Sequence, residues 1–147
     1  HLDRASDIEA LLRFLEGRRE RVILAGAAEA WLVREALAER QIPVMLDPLT
    51  FGPGGFDQLF ARPDNAALLA DAGVQVMFST FNAHNVRKLR QVAGNAAREG
   101  LPPEEALRAI TATPAEVFGL DYPAFAARLE ANFDRLFTKA ADYRAAA

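Results

Sequence analysis

Apolar residues along the chain gather in three short unbroken runs, each followed by a stretch where they recur at helical spacing. The runs are Arg21–Gly26, Pro43–Asp47 and Val74–Thr80. Near-continuous apolar runs of this length suit parallel strands covered on both faces. The helical stretches after them are Ala27–Arg40, Asp64–Ala72 and Val86–Glu99, the last stopped by Gly100. A leading helix over Asp7–Glu16 presents Ile8, Leu11, Leu12 and Leu15 on one face. Strand–helix alternation with short connections predicts an α/β protein with a parallel sheet. Three strands alone make a narrow sheet with two exposed edges.

Other signals punctuate the pattern. Ser6 and Glu9 have capping-box spacing, as do Thr113 and Glu116 with Pro114 between them. Pro102, Pro103, Glu104 and Glu105 open a helix that runs to Ile110. Leu49–Pro63, with Gly52, Pro53, Gly54 and Gly55, is too long for a simple turn. It reads either as a lid or binding loop or as a surface excursion packed by Phe51, Phe56 and Phe60. From Tyr122 to Ala147 the residues Phe125, Leu129, Phe133, Leu136, Phe137 and Ala140 line one helical face, predicting a long amphipathic C-terminal helix. The expected division is therefore 1–121 and 122–147.

Composition narrows the chemistry. A net charge of −3 gives no electrostatic reason to expect nucleic acid or an anionic membrane as partner. The absence of cysteine excludes disulfides, thiolate nucleophiles and cysteine-based zinc sites. With no leader-like or spanning run, the expected location is the cytoplasm. A first residue His1 in place of Met suggests a processed chain or a trimmed piece of a longer one.

The stretch Val74–Gly100 is where chemistry is expected. In parallel α/β folds the carboxyl ends of strands gather ligands. Here that end delivers Ser79, Thr80, Asn82, His84 and Asn85 into one loop. Asp47 ends the preceding strand in the same way, where it could orient a substrate or cap a turn. His84 could bind a ligand or pack beside the helix start. Trp31 reads as core, and Arg87 and Arg90 as a solvated or salt-bridging face. A Ser79–His84–Asp47 triad is conceivable, but it lacks the strained Gly-x-Ser-x-Gly turn that exposes such a nucleophile. No phosphate loop or dinucleotide fingerprint is present.

Several segments together resemble the C-terminal half of a metal-dependent amidohydrolase of the imidazolonepropionase-like branch. They are HLDRASDI, VILAGAAEAWLV, PVMLDPL, DNAALLADAGVQVMFST and AHNVRKLRQVAGNAAREGLPPEEALRAITATPAEVFGLD. The resemblance implies that these βα units form part of a TIM (β/α)8 barrel, with the chain supplying its last strands. It implies metal-assisted hydrolysis of C–N bonds in linear or cyclic amides, the metal (zinc foremost) lowering the pKa of the attacking water.

In that family histidines after the fifth and sixth strands and an aspartate after the eighth serve at the metal. Carried over, His1 falls at the first of these positions and is the candidate metal ligand. A frayed chain start is the competing reading. Ala25 and Gly26 stand where the next histidine belongs, and Ser79-Thr80-Phe81-Asn82 where the aspartate belongs. The candidate catalytic set is accordingly Asp47, Ser79, Asn82 and His84.

Two readings of function follow. One is an amidohydrolase-related chain, inactive alone, that acts on a small-molecule substrate when a complementary barrel half supplies the missing ligands. The other is a non-catalytic half-barrel that binds or scaffolds, with no metal, and pairs with a second copy. Both expect the barrel-interior face to be covered by another chain, by a second copy or by the C-terminal helix folding back, since exposing apolar surface costs about 25 cal/mol per Å².

Overall fold

The computed structural model describes residues 1–48 and 52–136. The chain divides into two compact units, His1–Pro114 and Ala115–Ala147. The first contains three parallel strands in sequential order: β1 (Leu24–Ala25), β2 (Val44–Leu46) and β3 (Val76–Phe78). The strands are shorter than the apolar runs suggest. Their order is the one that consecutive βα units produce.

Neither edge of the sheet is bare. Leu2 pairs with Gly26 as one residue of a further parallel strand, its N–H donating to Ala25 O (3.0 Å) and its carbonyl accepting from Ala27 N (2.8 Å). At the other edge the Phe78 N–H donates to Ala109 O (3.0 Å). The expectation of two exposed edges is thus corrected. Long-range backbone pairing, which no local pattern encodes, covers part of each.

Strand register separates two faces. Leu24, Val44 and Val76 align, as do Leu46 and Phe78. These residues join Ile8, Leu12, Leu37, Leu69 and Val92 in the buried core. The helices carrying those partners are α1 (Ala5–Phe14), α2 (Arg34–Glu39), α3 (Asn65–Asp71) and α4 (Leu89–Arg98). The opposite face carries Ala25, Met45 and Met77 in register. Met77 is fully buried yet lies outside the helix-packed cluster, while Ala25 and Met45 remain half-buried.

Several elements start differently from their sequence signals. α1 begins at Ala5, so Ser6 lies inside it and the Ser6–Glu9 box does not form. Its first N–H, on Ala5, instead donates to the Glu29 carboxylate at 3.0 Å. Glu29 is 24 residues away and only 3% exposed. The expected helix over Ala27–Arg40 splits into a 3-10 turn, Ala30–Val33, followed by α2. Likewise Val86–Glu99 becomes a 3-10 turn, Ala83–Lys88, followed by α4. α4 ends at Gly100, whose φ of +106° suits a residue without a side chain.

α5 (Pro103–Arg108) opens with proline in its first turn, as its sequence predicts. α6 (Ala112–Val117) starts one residue before Thr113, which puts that threonine inside the helix and removes the second capping box. In the second unit α7 spans Tyr122–Leu136, with Asp121 as its cap: Oδ1 accepts from Ala124 N (3.1 Å) and the carbonyl from Phe125 N (2.8 Å). Phe125 and Leu129 are exposed on it. The expected continuation to Ala147, with Phe137 and Ala140, lies outside the described residues.

Candidate functional site

The carboxyl ends of the Leu2 strand, β1, β2 and β3 bring four short segments together around a cavity of about 120 Å³. Asp3 comes from the first end, with His1 just before Leu2, Gly26 from the second, Asp47 from the third and Phe81 from the fourth. The long loop closes the wall with Gln58, Ala61, Arg62 and Pro63. The volume lies below the ~300–1,000 Å³ that buries a drug-sized ligand, so the cavity fits a fragment-sized polar group.

Gly26 shapes this cavity. Its φ is +88°, and a Cβ there would lie 2.4 Å from His1 Nε2 and 2.6 Å from Asp3 Oδ1. The chain turns sharply past it, with Ala27 also in the left-handed region (φ 58°). Two side chains hold that turn. Asn65, 7% exposed, donates from Nδ2 to Ala27 O (2.9 Å) and accepts at Oδ1 from Trp31 N (3.1 Å). Asp3 Oδ1 accepts from Ala28 N (3.3 Å), and its Oδ2 accepts from Gln58 Nε2 (3.1 Å).

His1 sits beside Asp3 and Phe81. Its Nε2 sits 3.4 Å from Asp3 Oδ2, and its ring meets Phe81 edge-on at 5.4 Å between centroids. The side chain remains 57% exposed, so the pair is reached from solvent.

The long loop is fixed by polar contacts, not by its aromatic residues. Phe56 and Phe60 are 83% and 61% exposed, which corrects the expectation that they pack it; Phe51 lies outside the described residues. Arg4 instead donates to Phe56 O (3.1 Å) and pairs with Asp57 (2.9 Å). Glu29 Oε1 accepts from Phe60 N (3.0 Å), and Trp31 Nε1 donates to Phe60 O (2.8 Å). Trp31 is therefore no core residue: Arg62 lies over its ring at 4.8 Å while pairing with Asp64. The hydrogen bonds from Arg62 hold the Asp64 carboxyl below the usual carboxylate range and push the guanidinium further up.

Of the residues singled out in the sequence, Asp47 and His1 line the cavity, and Ser79, Asn82 and His84 are not among its walls. The three belong to the turn beside it. Ser79 Oγ accepts from Phe81 N (3.0 Å), supporting the left-handed φ of Phe81 (46°). Thr80, 8% exposed, donates to Asn82 O (2.9 Å), and Asn82 Oδ1 accepts from His84 N (2.9 Å) as the cap of the 3-10 turn. The turn thus delivers Phe81 to the cavity, with His84 exposed beyond it. Asp3, Gln58, Arg62 and Asn65 were not foreseen as site residues. The glycine-rich loop was the signal for two of them; Asp3 and Asn65 have no local signal.

The donor set does not suit a divalent cation. Tetrahedral zinc needs three or four converging nitrogen, sulfur or carboxylate donors. Among the described residues no three His, Asp or Glu side chains come close enough to share one ion. Nor is any described helix long and apolar enough to cross a membrane.

No family model matches the chain. No curated protein matches it either. Among solved structures it is similar to the crystal structure of an amidohydrolase from Thermotoga maritima MSB8, with a TM-score of 0.75 and 26% sequence identity. The alignment covers 82% of this chain and 32% of that one, so the chain spans about a third of the length of the neighbour. The comparison supports an amidohydrolase-superfamily relationship and a partial barrel-like α/β fold.

Proposed function

We propose that this chain is an amidohydrolase-related protein of the imidazolonepropionase-like branch, supplying the last strands of a (β/α)8 barrel. The parent reaction is the metal-assisted hydrolysis of amide or cyclic amide C–N bonds in a small molecule. The chain does not carry it out alone. One observation supports the reading above others: four parallel strand positions, from Leu2 through β3, succeed one another in chain order with their carboxyl ends around one cavity. The structural neighbour is an amidohydrolase.

In this reading Asp47 and His1 face the substrate, and the turn carrying Ser79, Asn82 and His84 borders it once a complementary barrel half covers the Ala25–Met45–Met77 face. The metal ligands come from that half. The test is hydrolysis of cyclic amides (hydantoin, dihydrouracil) and N-acyl amino acids, followed by NMR. We expect no turnover by the chain alone, and turnover when a polypeptide carrying the earlier strands of a related amidohydrolase is added. Failure of every such complement to bind would overturn the barrel reading.

A second reading, a non-catalytic half-barrel that pairs with a copy of itself, is favoured by Gly26, which offers no donor side chain where the family resemblance expects a histidine. Binding of a second copy without turnover in any complemented mixture would select it.

A further inference from the structure

We infer that the His1–Asp3 pair occupies the place of a cation ligand at position 26, and that the strand-end cavity is a metal-independent polar site. The inference rests on the amidohydrolase reading only for the expectation that a ligand belongs there; the geometry is this chain's own.

Three observations carry it. A Cβ at position 26 would meet His1 Nε2 at 2.4 Å, Asp3 Oδ1 at 2.6 Å and His1 Cδ2 at 2.8 Å, so the first two side chains fill the volume that any side chain from β1 would need. The backbone there has φ +88°, a conformation that disfavours every residue but glycine. The donors nearest Gly26 also lack a third to share an ion with: among the described residues no group of three His, Asp or Glu could hold one. Asp3 spends its oxygens on Ala28 N and Gln58 Nε2, and His1 Nε2 faces Asp3 Oδ2 at 3.4 Å.

Each Asp3 oxygen accepts one hydrogen bond, from Ala28 N and Gln58 Nε2, and the His1 ring meets Phe81 edge-on. The cavity is lined by His1, Asp3, Asp47 and Gln58 together with Leu46, Pro48 and Phe81.

Two measurements decide the matter. In the first, the full chain, N-terminally acetylated to remove chelation by the terminal amine, competes with a chromophoric chelator for zinc. We expect the chelator to keep its zinc through one equivalent of protein, and the D3N and D47N variants to behave identically. Uptake of one equivalent that D3N or D47N abolishes would overturn the inference.

The second is a thermal-unfolding cycle of G26A, H1A and H1A/G26A. If His1 fills position 26, the drop in midpoint caused by the alanine shrinks when His1 is absent. It does not vanish, because the Asp3 contact and the left-handed φ remain. Strictly additive midpoint shifts would refute the filling. Zinc uptake through Asp47 would sink this inference while supporting the hydrolase reading. An additive cycle without zinc uptake sinks it too, and the hydrolysis assay then judges that reading separately.

Discussion

Buried Asn65 and half-buried Asp3 fix the turn on which the cavity depends. Asn65 bonds Ala27 O and Trp31 N, so replacing it with alanine leaves a buried carbonyl and a half-buried N–H without their partner. The expected loss is about 1–3 kcal/mol, read as a lower urea midpoint at unchanged slope. Leucine at the same site restores volume but not the bonds, and should recover little.

Arg62 and Asp64 make a pH-dependent contribution. The Asp64 pKa is depressed by hydrogen bonds from Arg62, so the folded state binds its proton less readily than the unfolded chain does. The contribution is present above the unfolded carboxylate value, near ~4, and disappears as pH falls through the lower folded value. Solvent reaches both groups, so the effect is small. Unfolding midpoints of wild type and R62M should differ above pH 5 and converge toward pH 2. A difference that persists unchanged at pH 2 would assign the effect to the Arg62–Trp31 stack instead.

At this scale the sequence said least. Asp47 could be placed at a strand end because Pro48 and an apolar run bracket it. Asn65 and Glu29 look like ordinary residues near helix starts, and their partners stand far off in the chain: 24 residues for Ala5, 31 for Phe60, 34 for Trp31 and 38 for Ala27.

Helix starts show where local rules hold and where they yield. Asp121 caps α7 as its residue type favours, directly before Tyr122 and Pro123. Asp121→Ala should therefore fray the first turn at a cost of about 0.5–2 kcal/mol, seen as faster amide exchange confined to Ala124 and Phe125. Exchange that quickens equally along all of α7 would count against a local cap.

Ser6 has an equally good local signal and does not cap α1. A negative carboxylate arriving from Glu29 meets the positive end of that helix and also binds Phe60 N, tying α1 to the long loop. One charged acceptor serving two N–H groups outcompetes a neutral hydroxyl serving one. The elements themselves were legible because their apolar periodicity is strong. The 3-10 turns at Ala30–Val33 and Ala83–Lys88 were not, since that periodicity is shared by both helix types over so few residues.

For the molecule as a whole, the order of the strands follows from their spacing, and the covering of the sheet does not. Helices bury the face made by Leu24, Val44, Leu46, Val76 and Phe78. Among the described residues the face with Ala25, Met45 and Met77 contributes nothing to that cluster, although Met77 itself is buried, and parallel sheets are stable when both faces are covered. A half-buried methionine at the centre of that face is the position where a covering partner would show itself.

If a second copy or a complementary barrel half lies over it, Met45→Lys removes the partner by burying an unpaired charge against it. The change costs the separate chain little, because Met45 is not fully enclosed. Light scattering at tens of micromolar should then report more than one chain for wild type and a single chain for M45K, with circular dichroism unchanged. Were wild type a single chain at every concentration, self-association would be lost as the means of covering this face. The covering would then fall to a complementary barrel half, shown by its binding to wild type but not to M45K, or to the C-terminal helix folding back, shown by no such binding.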